Sequence, residues 1–188
     1  MRMKRSNPNS DESSVTPVTE DKILVNLRCS AIVFRNDTVL LCHRPNSDGT
    51  WVLPGGTPRL GEGTAIAAQR EVEEETGLQL TINRIAFVLE TTDRDWSHHL
   101  IEIVFVGKER NANAAPRQRE SGLLPSFVPL EELDQIRLRP PIAGYVRGFY
   151  RYRRTSSESQ HLFTAAYLGN LWRVPEKDEP GAKLSPDF

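Results

Sequence analysis

The stretch that decides the fold runs from Gly56 to Leu78 and reads GTPRLGEGTAIAAQREVEEETGL. Between positions 64 and 76 it contains no proline or glycine and is rich in alanine, glutamate and glutamine, which are good helix formers. Thr64 is a candidate N-cap residue, and Gly77 suits the left-handed position that follows a helix. The stretch therefore predicts one short helix over 64–76.

Three glutamates of this helix share one face. Glu71, Glu74 and Glu75 stand at i, i+3 and i+4, so their carboxylates span roughly 6 Å of helix axis. Like charges this close repel each other, which favours either open solvent or a bound cation. Oxygen ligands suit Mg²⁺ or Mn²⁺, whereas Zn²⁺ favours histidine or cysteine, which are not grouped here. The pattern predicts a Mg²⁺ or Mn²⁺ site.

The alternative is a solvated acidic helix face, which is what most runs of one charge are. Against it stand WVLPGG at 51–56, Gly61-Glu62-Gly63, Arg70 and Gly77 at fixed distances from the glutamates. With them the stretch resembles, at every fixed position, the signature of the Nudix hydrolases, G-x5-E-x7-R-E-U-x-E-E-x-G-U, where U is a bulky aliphatic residue. The resemblance is to the MutT-like members of that family.

The resemblance implies the roles of the glutamates. Glu71, Glu74 and Glu75 become metal ligands, and Glu74 or Glu71 doubles as the base for the attacking water. A carbonyl of the glycine turn, from Gly55 or Gly56, completes the metal shell.

Arg70 belongs to the same catalytic group. It is expected to orient Glu71 or to pair with Glu62, because a guanidinium fork fits a carboxylate bidentately.

A further ligand or base is expected from outside this stretch. In some relatives it is a glutamate on a loop ahead of a strand that ends in an aromatic-Val-Pro-Leu run. Glu120, upstream of Phe127-Val128-Pro129-Leu130, fits best, with Glu102 and Glu90 as rivals. The alternative for Glu120 is an ordinary loop carboxylate.

Three residues are candidates for binding the substrate. Arg44 follows a predicted strand and suits bidentate phosphate binding. Arg94 and Trp96, in the loop DRDWSHH, are candidates to steer or stack on a base. The alternatives are a solvated arginine and a tryptophan that packs on its own domain. His98 and His99 have no evident partner in the sequence and are not assigned a catalytic role.

The order of elements predicts an α+β fold. Strands are expected at 23–34, 38–43, 51–53, 80–90, 100–107 and 126–130, and a second amphipathic helix at 141–154. This order resembles the Nudix α/β/α sandwich with a mixed sheet and a catalytic loop-helix. We expect a disordered segment at 1–21, the Nudix domain at 22–154 and a C-terminal extension at 155–188 that packs on the domain or on a second subunit.

Composition narrows the functional classes. The 188 residues suit one domain, and a net charge of −1 gives no electrostatic case for nucleic-acid polymers or acidic membranes. The sequence contains no apolar run of transmembrane length and no secretion signal, so a cytoplasmic protein is expected. Cys29 and Cys42 are interpreted as reduced core residues. The predicted partner is a small nucleotide, bound by a monomer or a homodimer.

Substrate choice rests on elimination. Residues typical of ADP-ribose, dinucleoside-polyphosphate, NADH and coenzyme A cleaving relatives are missing after the signature, where Asp93, Arg94 and Trp96 stand. The first hypothesis is hydrolysis of a nucleoside triphosphate, canonical or oxidised, to monophosphate and pyrophosphate. The second is an ADP-ribose or nucleotide-sugar pyrophosphatase. The third is a non-catalytic nucleotide-sensing module, which an intact signature and the lack of a helix-turn-helix disfavour.

Overall fold

The computed structural model describes residues 25–47, 49–92, 99–155 and 165–170. Within them the chain forms two α-helices, eight strands and one short 3-10 helix. The strands are β1 (Val25–Arg35), β2 (Thr38–Arg44), β3 (Thr50–Val52), β4 (Gly55–Gly56), β5 (Leu80–Thr92), β6 (His99–Glu109), β7 (Leu124–Pro129) and β8 (Ala166–Asn170). The helices are α1 (Thr64–Thr76) and α2 (Ala143–Thr155), and the 3-10 helix is Leu130–Glu132.

The strands form one mixed sheet in the order β3-β2-β1-β6-β5-β8, with β4 paired to β1 and β7 paired to β2. β1 runs parallel to β6, and β5 runs parallel to β8, while the other neighbours are antiparallel. A two-residue turn joins β1 to β2. Asn36 adopts a left-handed φ of 52° there, a conformation that asparagine tolerates better than most residues.

The two helices cover opposite faces of the sheet. On one face, Ala68 and Val72 of α1 pack in clusters with Cys29 and Ala31 of β1. On the other face, Val146 of α2 joins a larger cluster with strand residues. Alternation along β1 makes this possible, because successive side chains of a strand point to opposite faces. The predicted α+β fold, an α/β/α sandwich with a mixed sheet, is confirmed.

The bounds of α1 are the predicted 64–76, but the capping predictions agree with the structure at the C-terminus only. Gly77 has a φ of 73°, and its N–H donates to Glu73 O at 2.9 Å, as expected for a helix C-terminus. The predicted N-cap was wrong: Gly63 occupies that position, with extended backbone and no side-chain cap. Glycine is accepted at this position, so the chain enters the helix one residue earlier than Thr64 would require.

Other boundaries shift by a few residues. α2 begins at Ala143 rather than at 141. β5 extends to Thr92, and β7 begins at Leu124. Part of the expected C-terminal extension forms β8 beside β5.

The segment 1–21, expected to be disordered, lies outside the described residues, as does most of 155–188. Among the residues that are described, no helix is long and apolar enough to cross a membrane.

Candidate active site

The glycine turn before α1 holds a buried glutamate. β4 pairs with β1 through Gly56 and Gly55, opposite Cys29 and Ser30. The N–H of Gly55 donates to Glu75 Oε2 at 3.0 Å. Glu75 is only 3 % exposed, and this burial raises the pKa of its carboxyl to about 7. With a pKa near 7, this carboxyl is about half protonated at neutral pH, because burial disfavours its charged form.

Gly56 lies directly against the next carboxylate of the helix. A Cβ built on Gly56 would lie 2.4 Å from Glu71 Cδ and 2.5 Å from Glu71 Oε2. Only glycine leaves room for the carboxylate beside the turn. The fixed glycine at this position therefore serves close approach, and Glu71 is held next to the backbone of β4.

Arg70 holds three carboxylates at once. Its Nε and Nη2 donate to the two oxygens of Glu62, each at 2.9 Å. Its Nη1 donates to Glu71 Oε1 at 2.7 Å and to Glu74 Oε2 at 2.9 Å. The hydrogen bonds from Arg70 lower the pKa of Glu62 to about 2. Both contacts expected for Arg70, with Glu62 and with Glu71, are thus present together.

Glu74 lies on the outer side of this network. Its side chain is 46 % exposed, and its carboxylate also pairs with Arg59 Nη2 at 3.0 Å. Of the three glutamates that share one face of α1, it is the one that does not line the cavity described below. Its predicted role as ligand or base stays a prediction.

The loop between β6 and β7 carries Glu120 to the site. Arg117 N–H donates to Thr76 O at 2.8 Å, and Arg119 N–H donates to Glu75 O at 3.3 Å. These bonds dock the loop on the last turn of α1, where carbonyls have no partner within the helix. The charge of Glu120 contributes to the raised pKa of Glu75, because the docked loop brings the two carboxylates close together.

These groups surround one open cavity of about 550 Å³. Four kinds of group meet there: the glycine turn, the carboxylates, two arginines, and small polar residues. The lining residues are Arg28, Arg44, Asn46, Ser47, Gly55, Gly56, Thr57, Glu71, Glu75, Glu120, Ser121, Gly122 and Leu123. The structure thus brings together five of the predicted residues: Gly56, Glu71, Glu75, Glu120 and Arg44. Arg94 and Trp96 lie outside the described residues.

The two rivals of Glu120 have other partners. Glu102 accepts from Ser30 Oγ at 2.7 Å and lies 3.4 Å from Arg28 Nε. Glu90 lies 2.9 Å from His99 Nε2 across the β5–β6 pair, so His99 does have a partner. Sequence reasoning missed Arg28, although a charged residue between the apolar residues of a predicted strand was a signal for it.

The donor set fits a hard divalent cation. Glu71, Glu75, Glu120 and the carbonyls of the glycine turn supply oxygen only, as Mg²⁺ and Mn²⁺ prefer. Within the described residues, no three acidic, histidine or cysteine side chains already converge at ligand distance. Among these ligands, Arg70 binds Glu71 and the Gly55 N–H binds Glu75, so a cation would have to rearrange these side chains.

Comparison with known proteins places the chain in a family. The chain matches the family model of the NUDIX domain over residues 26–151, which is more than half of its length. An ADP-ribose pyrophosphatase of Methanocaldococcus jannaschii is 38 % identical over 77 residues, covering 40 % of this chain and 46 % of that protein. A MutT-like protein of Streptomyces ambofaciens is 37 % identical over 71 residues, covering 38 % and 46 %.

Solved structures agree with the family match. A MutT NUDIX hydrolase from Burkholderia pseudomallei superposes with a TM-score of 0.51 and 26 % identity, covering 57 % of this chain and 85 % of that one. The chain belongs to the Nudix family. Its matches span about half the length of the two curated relatives.

Proposed function

We propose that this protein is a metal-dependent pyrophosphohydrolase that cleaves a nucleoside diphosphate linked to another group. The preferred substrate is a nucleoside triphosphate, canonical or oxidised, which yields monophosphate and pyrophosphate. One observation carries the proposal: the acidic residues Glu71, Glu75 and Glu120 border the same cavity as Arg44. Carboxylates that repel an anion are useful in a phosphate site only if cations lie between them and the substrate.

Glu71, Glu75, Glu120 and the carbonyl of Gly56 would hold the cation. When bound, it neutralises charge on the phosphate oxygens and lowers the pKa of the attacking water. Arg44 binds a phosphate that does not react, since its charge has no ion-pair partner within the described residues and a guanidinium suits phosphate.

Glu71 is the better candidate for the general base. It lines the cavity and receives a hydrogen bond from Arg70 Nη1 at 2.7 Å, which fixes one of its carboxylate oxygens. Glu74 makes its contacts with Arg70 and Arg59 away from the cavity. A base must come within hydrogen-bond reach of the water it activates, and Glu71 meets this requirement with less rearrangement.

Hydrolysis of ADP-ribose or of a nucleotide sugar is the second candidate. It is favoured by the relative from Methanocaldococcus jannaschii, which is named an ADP-ribose pyrophosphatase. The same carboxylates and the same attack on a diphosphate would serve both reactions. The substrates differ only in the group beyond the diphosphate, which residues outside the carboxylate cluster must contact.

A substrate panel with Mg²⁺ and separately Mn²⁺ tests the proposal. It offers canonical and 8-oxo nucleoside triphosphates, ADP-ribose, sugar nucleotides and dinucleoside polyphosphates, with products resolved by chromatography. Release of pyrophosphate from a triphosphate supports the first candidate. Monophosphate together with a phosphorylated sugar supports the second.

Binding of metal and nucleotide without hydrolysis of any substrate would indicate a sensing module and would refute both candidates. The cytoplasmic location and the choice between monomer and homodimer stay predictions.

A further inference from the structure

Arg28 lines the cavity but has no part in the reaction as proposed above. Its Nη2 donates to Leu53 O at 3.1 Å, and its Nε lies 3.4 Å from Glu102 Oε1. Ser30 Oγ donates to the same carboxylate oxygen at 2.7 Å. The guanidinium is therefore held in one orientation, while the Arg28 side chain remains 21 % exposed. Within the described residues, nothing binds its Nη1.

The two arginines of the cavity differ in how their charge is compensated. Arg44 has no ion-pair partner among the described residues, so its full positive charge is available to a phosphate. Arg28 is paired with Glu102, whose side chain is only 4 % exposed. The pair is neutral overall, which weakens its attraction for a phosphate. Its N–H donors keep their directions, so Arg28 suits a neutral ligand group that offers acceptor atoms.

We propose that Arg28 determines base specificity by donating two hydrogen bonds to O6 and N7 of a keto-purine. This inference rests on the proposed function, in which the cavity holds a nucleotide. Guanine and hypoxanthine present two acceptors on this edge, whereas adenine presents an amino donor at C6 that would face the guanidinium. An 8-oxopurine carries a proton on N7 and keeps O6 as the acceptor on this edge, so it binds Arg28 less well than guanine.

The expected preference follows from the strength of a bidentate arginine–base contact. Such a contact discriminates against the wrong base by roughly 5- to 150-fold. We expect kcat/KM to favour GTP and ITP over ATP by a factor in this range. ITP is the informative substrate, because it shares O6 and N7 with GTP but lacks the 2-amino group. A preference for both GTP and ITP over ATP therefore shows that the enzyme recognises the edge with O6 and N7 and not the 2-amino group.

The substitution Arg28→Lys removes the pair of parallel hydrogen-bond donors but keeps the positive charge. Lysine keeps a cation beside the buried Glu102, so the fold is retained, but it cannot donate two parallel hydrogen bonds. The ratio of kcat/KM for GTP to that for ATP should fall close to one, through a loss on GTP and ITP with little change on ATP. Arg151→Lys is the matched control, because Arg151 is exposed on α2 and does not line this cavity. It should leave the ratio unchanged.

Equilibrium binding keeps this inference separate from the proposed function. The affinities of GMP, IMP and AMP for the wild type and for Arg28→Lys are measured by calorimetry with Mg²⁺, without turnover. If no triphosphate is hydrolysed but GMP and IMP bind more tightly than AMP only in the wild type, the proposed function fails and the role of Arg28 stands.

Three results would overturn the role of Arg28. The first is wild-type protein that binds AMP as tightly as GMP. The second is a variant with the full wild-type base preference. The third is an equal loss for all bases in the variant, which would make Arg28 a phosphate ligand or a support for the fold.

Discussion

Replacing Gly56 by alanine tests the geometry of the site with one methyl group. The added Cβ would lie 2.4 Å from Glu71 Cδ, whereas ordinary contacts of a Cβ begin at 3.4 Å. The carboxylate of Glu71 must therefore move by about 1 Å, the difference between these distances. It can do so because the clash is with the far end of a flexible side chain.

The expected effect is on the reaction rather than on the fold. A misplacement of about 1 Å in a reacting group costs roughly 10²-fold in rate, or about 2.7 kcal/mol in the barrier. Gly56 has no positive φ, so alanine is tolerated by the backbone. We expect Gly56→Ala to lower kcat about 10²-fold in the pyrophosphate-release assay, while its melting temperature stays close to that of the wild type.

Two other glycines supply controls. Gly148 lies in α2, and a Cβ there meets no atom within 4 Å, so Gly148→Ala should keep full activity and add up to about 1 kcal/mol of stability. Gly55 has a φ of 154°, and its Cβ would lie 2.4 Å from the backbone oxygen of Cys29, so Gly55→Ala should unfold the turn. A folded Gly56→Ala protein with wild-type kcat would refute the placement of Glu71 in the reaction.

Further predictions concern the carboxylates and the loop. Glu71→Gln should lower kcat by about 10²- to 10⁴-fold and Glu74→Gln by less; a larger loss for Glu74→Gln in the same steady-state assay would exchange their roles. Mg²⁺ at 100 times its Kd should add about 2.7 kcal/mol, or roughly 5 to 11 °C in melting temperature, and Glu75→Gln should abolish this shift in calorimetry. Arg35 binds Glu109 and donates to Ala114 O at 2.7 Å. Arg35→Met should cost about 3 kcal/mol in urea unfolding, since it leaves a buried carboxylate unpaired.

The elements with local signals were predictable from the sequence. The helix over 64–76 follows from its composition and from Gly77, and both of its bounds agree with the structure. The contact between Arg70 and Glu62 follows from the chemistry of the two groups once the helix and its preceding loop are in place. In these cases the residues that interact are close in sequence, so the pattern itself contains the geometry.

Features that depend on distant segments were not predictable in the same way. The position of Glu120 depends on backbone hydrogen bonds from Arg117 and Arg119 to the end of α1, and backbone groups leave no trace in residue type. The ion pair of Arg28 with Glu102 depends on the parallel register of β1 and β6, which places these residues opposite each other. No periodicity within a single strand specifies which strand becomes its neighbour.

The crowding of carboxylates on α1 is also relieved by a residue of the same helix. Besides open solvent or a bound cation, Arg70 offsets the repulsion, because its guanidinium binds Glu71 and Glu74. Nε and Nη2 of Arg70 donate to the two oxygens of Glu62, which lies outside the cavity. Only Nη1 of Arg70 contacts Glu71. A cation that takes Glu71 therefore needs to displace one hydrogen bond, because Glu62 keeps the guanidinium in place. Glu62 is then required at a fixed spacing although it does not line the cavity.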